Sequence, residues 1–219
     1  MRMNNKDRNT YVKKQITDAI LSLLEENELC DISIGDITEL AQVSRISFYR
    51  NYNSKEDIVR EKVFRLFDEW QKDNDTIRIK EETGADELML SDLFGFLKSN
   101  DAFFLLLKKR NLFYLVRDTL KLMIGPKPDD SNSAAYFSAF VCNGLYGWID
   151  EWLSRGMQES QEKMLEMLCA RNIPQGGIPL EERLLLRVYE DWLYGNKNGT
   201  VRNRRQNDSL EYAYSRLSF

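Results

Sequence analysis

The stretch from Ser33 to Ile58 reads SIGDITELAQVSRISFYRNYNSKEDI. Ser33 is placed to cap a short helix, with Asp36 three residues on as the second half of a capping box. Ile34, Ile37, Leu40 and Ala41 recur at the i, i+3, i+4 spacing of one helical face. Gln42-Val43-Ser44 makes a corner, and Ser44 can cap a second helix from Arg45 to about Asn51 with Phe48 turned inward. Ser54 then caps a third, with Asp57 completing another box. Arg45, Ser47, Tyr49, Arg50, Asn51 and Lys55 fall on surfaces that so small a core does not need. All can donate hydrogen bonds, and no acid lies between Arg45 and Lys55. Two short helices joined by a corner, the second rich in donors, are the parts of a helix that enters a DNA groove.

These residues resemble the helix-turn-helix of the tetracycline-repressor (TetR) family of bacterial transcription regulators. The resemblance rests on Ile37-Thr38, Ala41-Gln42-Val43-Ser44, Phe48-Tyr49, Asn51-Tyr52 and Lys55, and with flanking helices it covers about residues 8–70. Two positions depart from the family pattern. Thr38 stands where a small Ala is usual, and Gln42 where the turn usually has Gly. A left-handed Gln42 would cost about 1 kcal/mol relative to Gly. The resemblance implies DNA contacts from Lys14, Ser44, Arg45, Ser47, Tyr49, Arg50, Asn51, Tyr52 and Lys55. Arg45 suits guanine O6 and N7, and Ser47 a base edge. Tyr49, Tyr52 and Lys55 suit phosphates. Two alternatives stay open: Tyr52 as a core aromatic with a wet hydroxyl, and Asn51 as a helix C-cap.

Composition sets the bounds. The chain has 219 residues, 42% hydrophobic and 30% charged, with only 4 Pro and 11 Gly. That balance, rich in Leu, Glu, Lys and Arg, favours an all-α chain. No run of about 18 uncharged apolar residues predicts a membrane span, and the N-terminus has no apolar run of a signal peptide. The expected compartment is the cytoplasm. Net charge is −4, so binding DNA needs a local basic patch. Lys6, Arg8, Lys13 and Lys14 on the first helix, with Arg45, Arg50 and Lys55, supply candidates. Cys30, Cys142 and Cys169 have no metal-type spacing and read as buried free thiols. There is no histidine, which removes imidazole zinc sites, Ser-His-Asp triads and Cys-His pairs. With no Gly-rich phosphate loop and no paired carboxylates in an apolar setting, no catalytic residue, metal site or cofactor is expected.

The rest of the chain reads as further helices. The first runs from about Asn9 to Asn27, with Tyr11, Val12, Ile16, Ala19, Ile20, Leu23 and Leu24 inward. A long amphipathic helix follows Ser54. Asn74 to Gly84 is polar. Helices follow at about 86–99, from 101 to a break at Lys108-Lys109-Arg110-Asn111, and on to Met123. Gly125-Pro126-Lys127-Pro128 is a loop. The most apolar helix runs from Ser133 to Leu153 and carries Gly144 and Gly147. Each mid-helix glycine costs about 1 kcal/mol against Ala, so close helix approach or room for a ligand should compensate. The expected architecture is all-α: a helix-turn-helix domain (1–53), a helical regulatory and dimerisation bundle (54–173), and an extra helical extension (174–219) without a family counterpart. More narrowly, the C-terminal region is similar to the branch that includes dihydroxyacetone-kinase regulators.

The family resemblance implies a homodimer that binds a near-palindromic operator as a repressor, released by a small apolar or aromatic effector. Phe104, Phe113, Met123, Phe137, Phe140, Cys142 and Trp148 are the effector candidates, against the alternative that they are core. The competing reading is a helical adaptor with the same fold that binds a partner protein. The polar and basic face from Arg45 to Lys55 favours DNA.

Overall fold

The computed structural model describes residues 5–78 and 85–169, and every regular element among them is an α-helix. In chain order these are α1 (Asn5–Glu26), α2 (Ile34–Leu40), α3 (Arg45–Tyr49), α4 (Lys55–Arg78), α5 (Ala85–Ser99), α6 (Asp101–Lys109), α7 (Tyr114–Ile124), α8 (Asn132–Ser154) and α9 (Gln161–Cys169). The expectations for the extension at 174–219 lie outside the described residues, as does the side chain of Cys169.

The chain splits into two compact units. One unit comprises Met1–Asp73 and Asp101–Gly156; the other comprises Asn74–Asn100 and Met157–Phe219. In the first, α1 packs on α2, α2 on α3, and α8 on both α6 and α7. Its core joins Ile16, Ile20 and Leu24 of α1 with Ile37, Phe48, Ile58, Val59 and Val63, all fully buried. Apolar burial at about 25 cal/mol per Å² is what holds such short helices together. Phe67 of α4 meets Phe104 of α6 edge-on at 6.1 Å.

Polar ties complete this unit. Glu61 is buried and held by Lys13 at 2.8 Å and Arg65 at 2.6 Å. A buried carboxylate without such partners would be expensive. Arg110, from the corner after α6, donates to the carbonyls of Leu24 and Glu25, each at 2.5 Å, and to the Glu28 carboxylate at 2.9 Å. It thereby satisfies carbonyls that the end of α1 leaves open. The corner turns at Asn111, whose φ is 56°.

In the second unit α5 packs on α9. Leu93, Phe94, Leu97, Met157 and Met164 are buried. Gly95 gives Gln161 its place, since a Cβ there would stand 2.5 Å from Oε1 of Gln161. Lys98 donates to the Met157 carbonyl at 2.5 Å.

Three expected core positions turn outward. Tyr11 and Leu40 are 55% and 52% exposed, and Cys30 is exposed. On α2 the buried arc is Ile37, Thr38 and Ala41. Leu40 lies about 100° off that arc's centre at about 100° per residue. Thr38 fills the inward position because its hydroxyl donates to the Gly35 carbonyl at 3.0 Å. Cys30 sits in the α1–α2 link, where Ile32 takes the buried place. Cys142 is buried as expected.

Candidate nucleic-acid interface

The corner is built by short-range hydrogen bonds. Ser33 Oγ accepts from the Asp36 amide at 3.1 Å, and the Asp36 carboxylate accepts from the Ser33 amide at 2.8 Å. Those bonds hold the Asp36 carboxyl below its usual range. The Val43 amide donates to the Thr38 carbonyl at 3.0 Å, closing the turn. Gln42 has a φ of 54°, in the left-handed region where glycine is at ease and other residues are strained. Ser44 Oγ then accepts from the Ser47 amide at 3.1 Å, and Ser54 with Asp57 forms the box before α4.

Phe48 orients α3. It is fully buried, edge-on to Tyr49 at 5.4 Å and tilted against Tyr52 at 6.1 Å. At about 100° per residue the meridian opposite Phe48 passes between Ile46 and Arg50, with Tyr49 about 100° from Phe48 and Arg45 about 60° from it, at the first turn. All four are exposed. Ile46 is 71% exposed and Tyr49 59%. Neither arginine pairs with a carboxylate among the described residues. The guanidinium of Arg45 runs along the start of α2, where a Cβ on Gly35 would lie 3.1 Å from Nη2. Lys14 is exposed on α1.

Other expected contacts are occupied by the fold. Lys55 Nζ donates to the carbonyls of Leu29, Cys30 and Ile32 at 2.6, 3.2 and 2.5 Å. Its three N–H bonds brace the α1–α2 link instead of facing a phosphate. Tyr52 is only 5% exposed. Lys13 lies 5.3 Å over its ring, and burial, with Glu61 nearby, pushes its hydroxyl up to about 12. Of the two readings open for Tyr52, its position is the core. Asn51 donates to the Ser47 carbonyl at 2.8 Å and closes the end of α3, the capping alternative. The hydroxyls of Ser44 and Ser47 share a hydrogen bond of 2.9 Å. Ile46 was not among the residues expected to face DNA. Counting two residues back from Phe48 on a helical period is enough to place it outermost.

The body carries its own signature. Residues 87–170 match the TetR C-terminal family described as "Transcriptional regulator C-terminal region". The match covers the C-terminal body and stops short of the helix-turn-helix. Its structure is also similar to the crystal structure of a TetR transcriptional regulator from Streptococcus agalactiae 2603V. The two share 24% identity over 74% of this chain and 94% of that chain, with a TM-score of 0.41. No curated protein sequence matches.

In this body the effector candidates are dispersed. Phe104 is fully buried and edge-on to Phe103 at 5.4 Å. Phe113 is buried and stacked on Tyr146 at 5.4 Å, with Lys108 6.0 Å from its ring. Cys142 is buried, which pushes its thiol up. Met123 and Phe137 are half-buried. Phe140 is 41% exposed, and faces away from Cys142 because two residues turn the helix by about 200°. It joins Tyr136, Asn143, Gly144, Gly147 and Glu151 on the outer strip of α8. Among the described residues a Cβ at Gly144 or Gly147 would meet nothing within 4 Å, so none of them makes the expected close approach. Trp148 buries an indole N–H that has no acceptor among the described residues. Among those residues no helix is long and apolar enough to cross a membrane, and no cluster could hold a metal ion.

Ion pairs tie α4 to α7. Arg60 of α4 reaches Asp118 of α7 at 3.2 Å and also pairs with Glu56. Burial, with Glu56 alongside, pushes the Tyr114 hydroxyl up to about 12.

Proposed function

We propose that this chain is a TetR-family, sequence-specific DNA-binding regulator that acts as a symmetric dimer and represses transcription until an effector binds. The observation that carries the reading is the outward arc of α3. Arg45, Tyr49 and Arg50 are exposed and free of carboxylates among the described residues, while the reverse side of the same helix is capped and packed. Cations left without acidic partners on an acidic chain suit phosphates and guanine edges.

One five-residue helix reads only a few base pairs, so two heads are needed. A two-fold axis would set them about 34–36 Å apart, or at a related spacing, on a near-palindromic site. The exposed strip of α8 supports a second copy as its cover, because Gly144 and Gly147 lower helix stability and meet no neighbour among the described residues. The effector would be a small, largely apolar or aromatic molecule received in the body near Trp148, whose unpaired indole N–H favours a ligand with an acceptor. It would act by preferring the dimer whose heads are wrongly spaced, and only to the extent of its differential affinity. Arg60 and Arg110 tie α4 and α1 to the body and would carry that change.

The test is selection of bound sites from random DNA by wild type and by Arg45→Ala with Arg50→Ala. Lys55 is left intact because it braces the fold. Wild type should recover a palindrome, and the variant should lose it while keeping the wild-type unfolding midpoint. The slope of log affinity against log salt should fall by about 0.9 for each phosphate the variant no longer neutralises. No enrichment by wild type would overturn the reading and favour a protein partner.

A further inference from the structure

Resting on the DNA-binding reading, we propose that Ile46 is a specificity-determining residue that reads the C5 methyl of a thymine in the major groove. Ile46 is 71% exposed, the barest large apolar side chain of the two helix-turn-helix helices. It stands about 160° around α3 from Phe48, at the outermost meridian. No described element of the fold packs on it, so folding gives no reason for an apolar residue there. Its neighbours are chemically one-sided. Arg45 precedes it, Arg50 follows one turn later, and neither pairs with a carboxylate among the described residues. An apolar tip ringed by cations fits a polyanion that carries a methyl group, and it fits a purely apolar protein groove poorly.

In the major groove each base edge offers hydrogen-bonding groups, and thymine alone of the four bases adds a methyl. The arginines can hold phosphates or guanine, but neither can distinguish thymine by its methyl. The branched side chain of Ile46 can, by covering the methyl and excluding water. Being adjacent to Arg45 in sequence, it would read a base pair close to the one that Arg45 reads. In a symmetric dimer the thymine would recur once in each half-site.

The experiment uses the full-length dimer and the site recovered by selection. Each thymine is replaced in turn by deoxyuridine, which removes the methyl and leaves every hydrogen-bonding group. One symmetric pair of thymines should respond, with wild-type affinity falling about fourfold per half-site and about fifteenfold for the pair, the worth of one buried methyl at each. Ile46→Ala should bind the thymine site more weakly, be indifferent to deoxyuridine at that pair, and unfold at the wild-type denaturant midpoint. Ile46→Val should keep most of the methyl effect. A recovered site in which no thymine responds, or in which Ile46→Ala still responds, would overturn the assignment and leave DNA binding standing. Failure to recover any site would overturn both.

Discussion

The corner between α2 and α3 and the middle of α8 are opposites. At the corner the fold supplies its own partners. Three serines cap three helices, Thr38 bonds back to Gly35, and Lys55 gathers three carbonyls of the preceding link. Along the outer strip of α8, Gly144 and Gly147 meet nothing among the described residues, and Tyr136 and Phe140 are 74% and 41% exposed. A self-sufficient fold makes its leftover groups informative: what α3 still exposes is surplus to folding and available for recognition. An incomplete face tells a different story, since its residues gain their value only when another surface arrives.

That contrast can be broken most forcefully at α8. Replacing Tyr136 and Phe140 together by Asp should raise the dimer dissociation constant about 100-fold, or roughly 2.7 kcal/mol. Sedimentation equilibrium would measure it, and an unchanged constant would show that the strip is not the subunit contact. Unfolding of the subunit itself should hardly change, because neither side chain is part of the core.

The corner should respond in the other way. Lys55→Met removes the donor to three carbonyls and should cost about 2 kcal/mol in denaturant unfolding. Its salt slope for DNA should stay at the wild-type value once the protein is folded. A reduced slope with unchanged stability would make Lys55 a phosphate contact after all. Gln42→Gly relieves the left-handed turn and should add up to about 1 kcal/mol. No gain would mean that Gln42 makes a compensating contact.

The smallest effect is alkaline. The hydroxyl of Tyr52 is raised from 10.0 to about 12 in the fold. The neutral form is therefore the one the fold favours. Its contribution is complete below pH 10 and is lost as pH climbs from 10 towards 12. Tyr52→Phe should make stability less steep across that window, as read by urea midpoints at successive pH values. An unaltered slope would place the hydroxyl in water.

Much of this was legible because it is local. A capping serine and its acid meet three residues apart whatever the rest of the chain does, so both boxes and the Ser44 cap follow from spacing. The left-handed Gln42 follows from where the turn must fall, and the break after α6 occurs at the basic cluster, with Asn111 at a φ of 56°. Faces were less legible. Leu40 and Phe140 are apolar and lie on helices, but hydrophobicity does not say which side of a short helix meets a neighbour. The candidate site suffered most where one side chain can serve two roles: lysine and tyrosine near a recognition helix suit phosphates and brace folds equally well.

Residue spacing alone was enough to read helices, an N-terminal helix-turn-helix, and a donor-rich segment without acids after the turn. Those properties depend on periods and caps within a few residues. Only the tertiary structure decided which donors remain unspent. Lys55 meets the carbonyl of Leu29 from 26 residues away, and Arg110 meets that of Leu24 from 86. Such pairings depend on how separate helices are brought together. The same packing turns Phe48 inward and thereby aims Ile46, Tyr49 and Arg50 outward, because a rigid helix cannot bury one side without presenting the other.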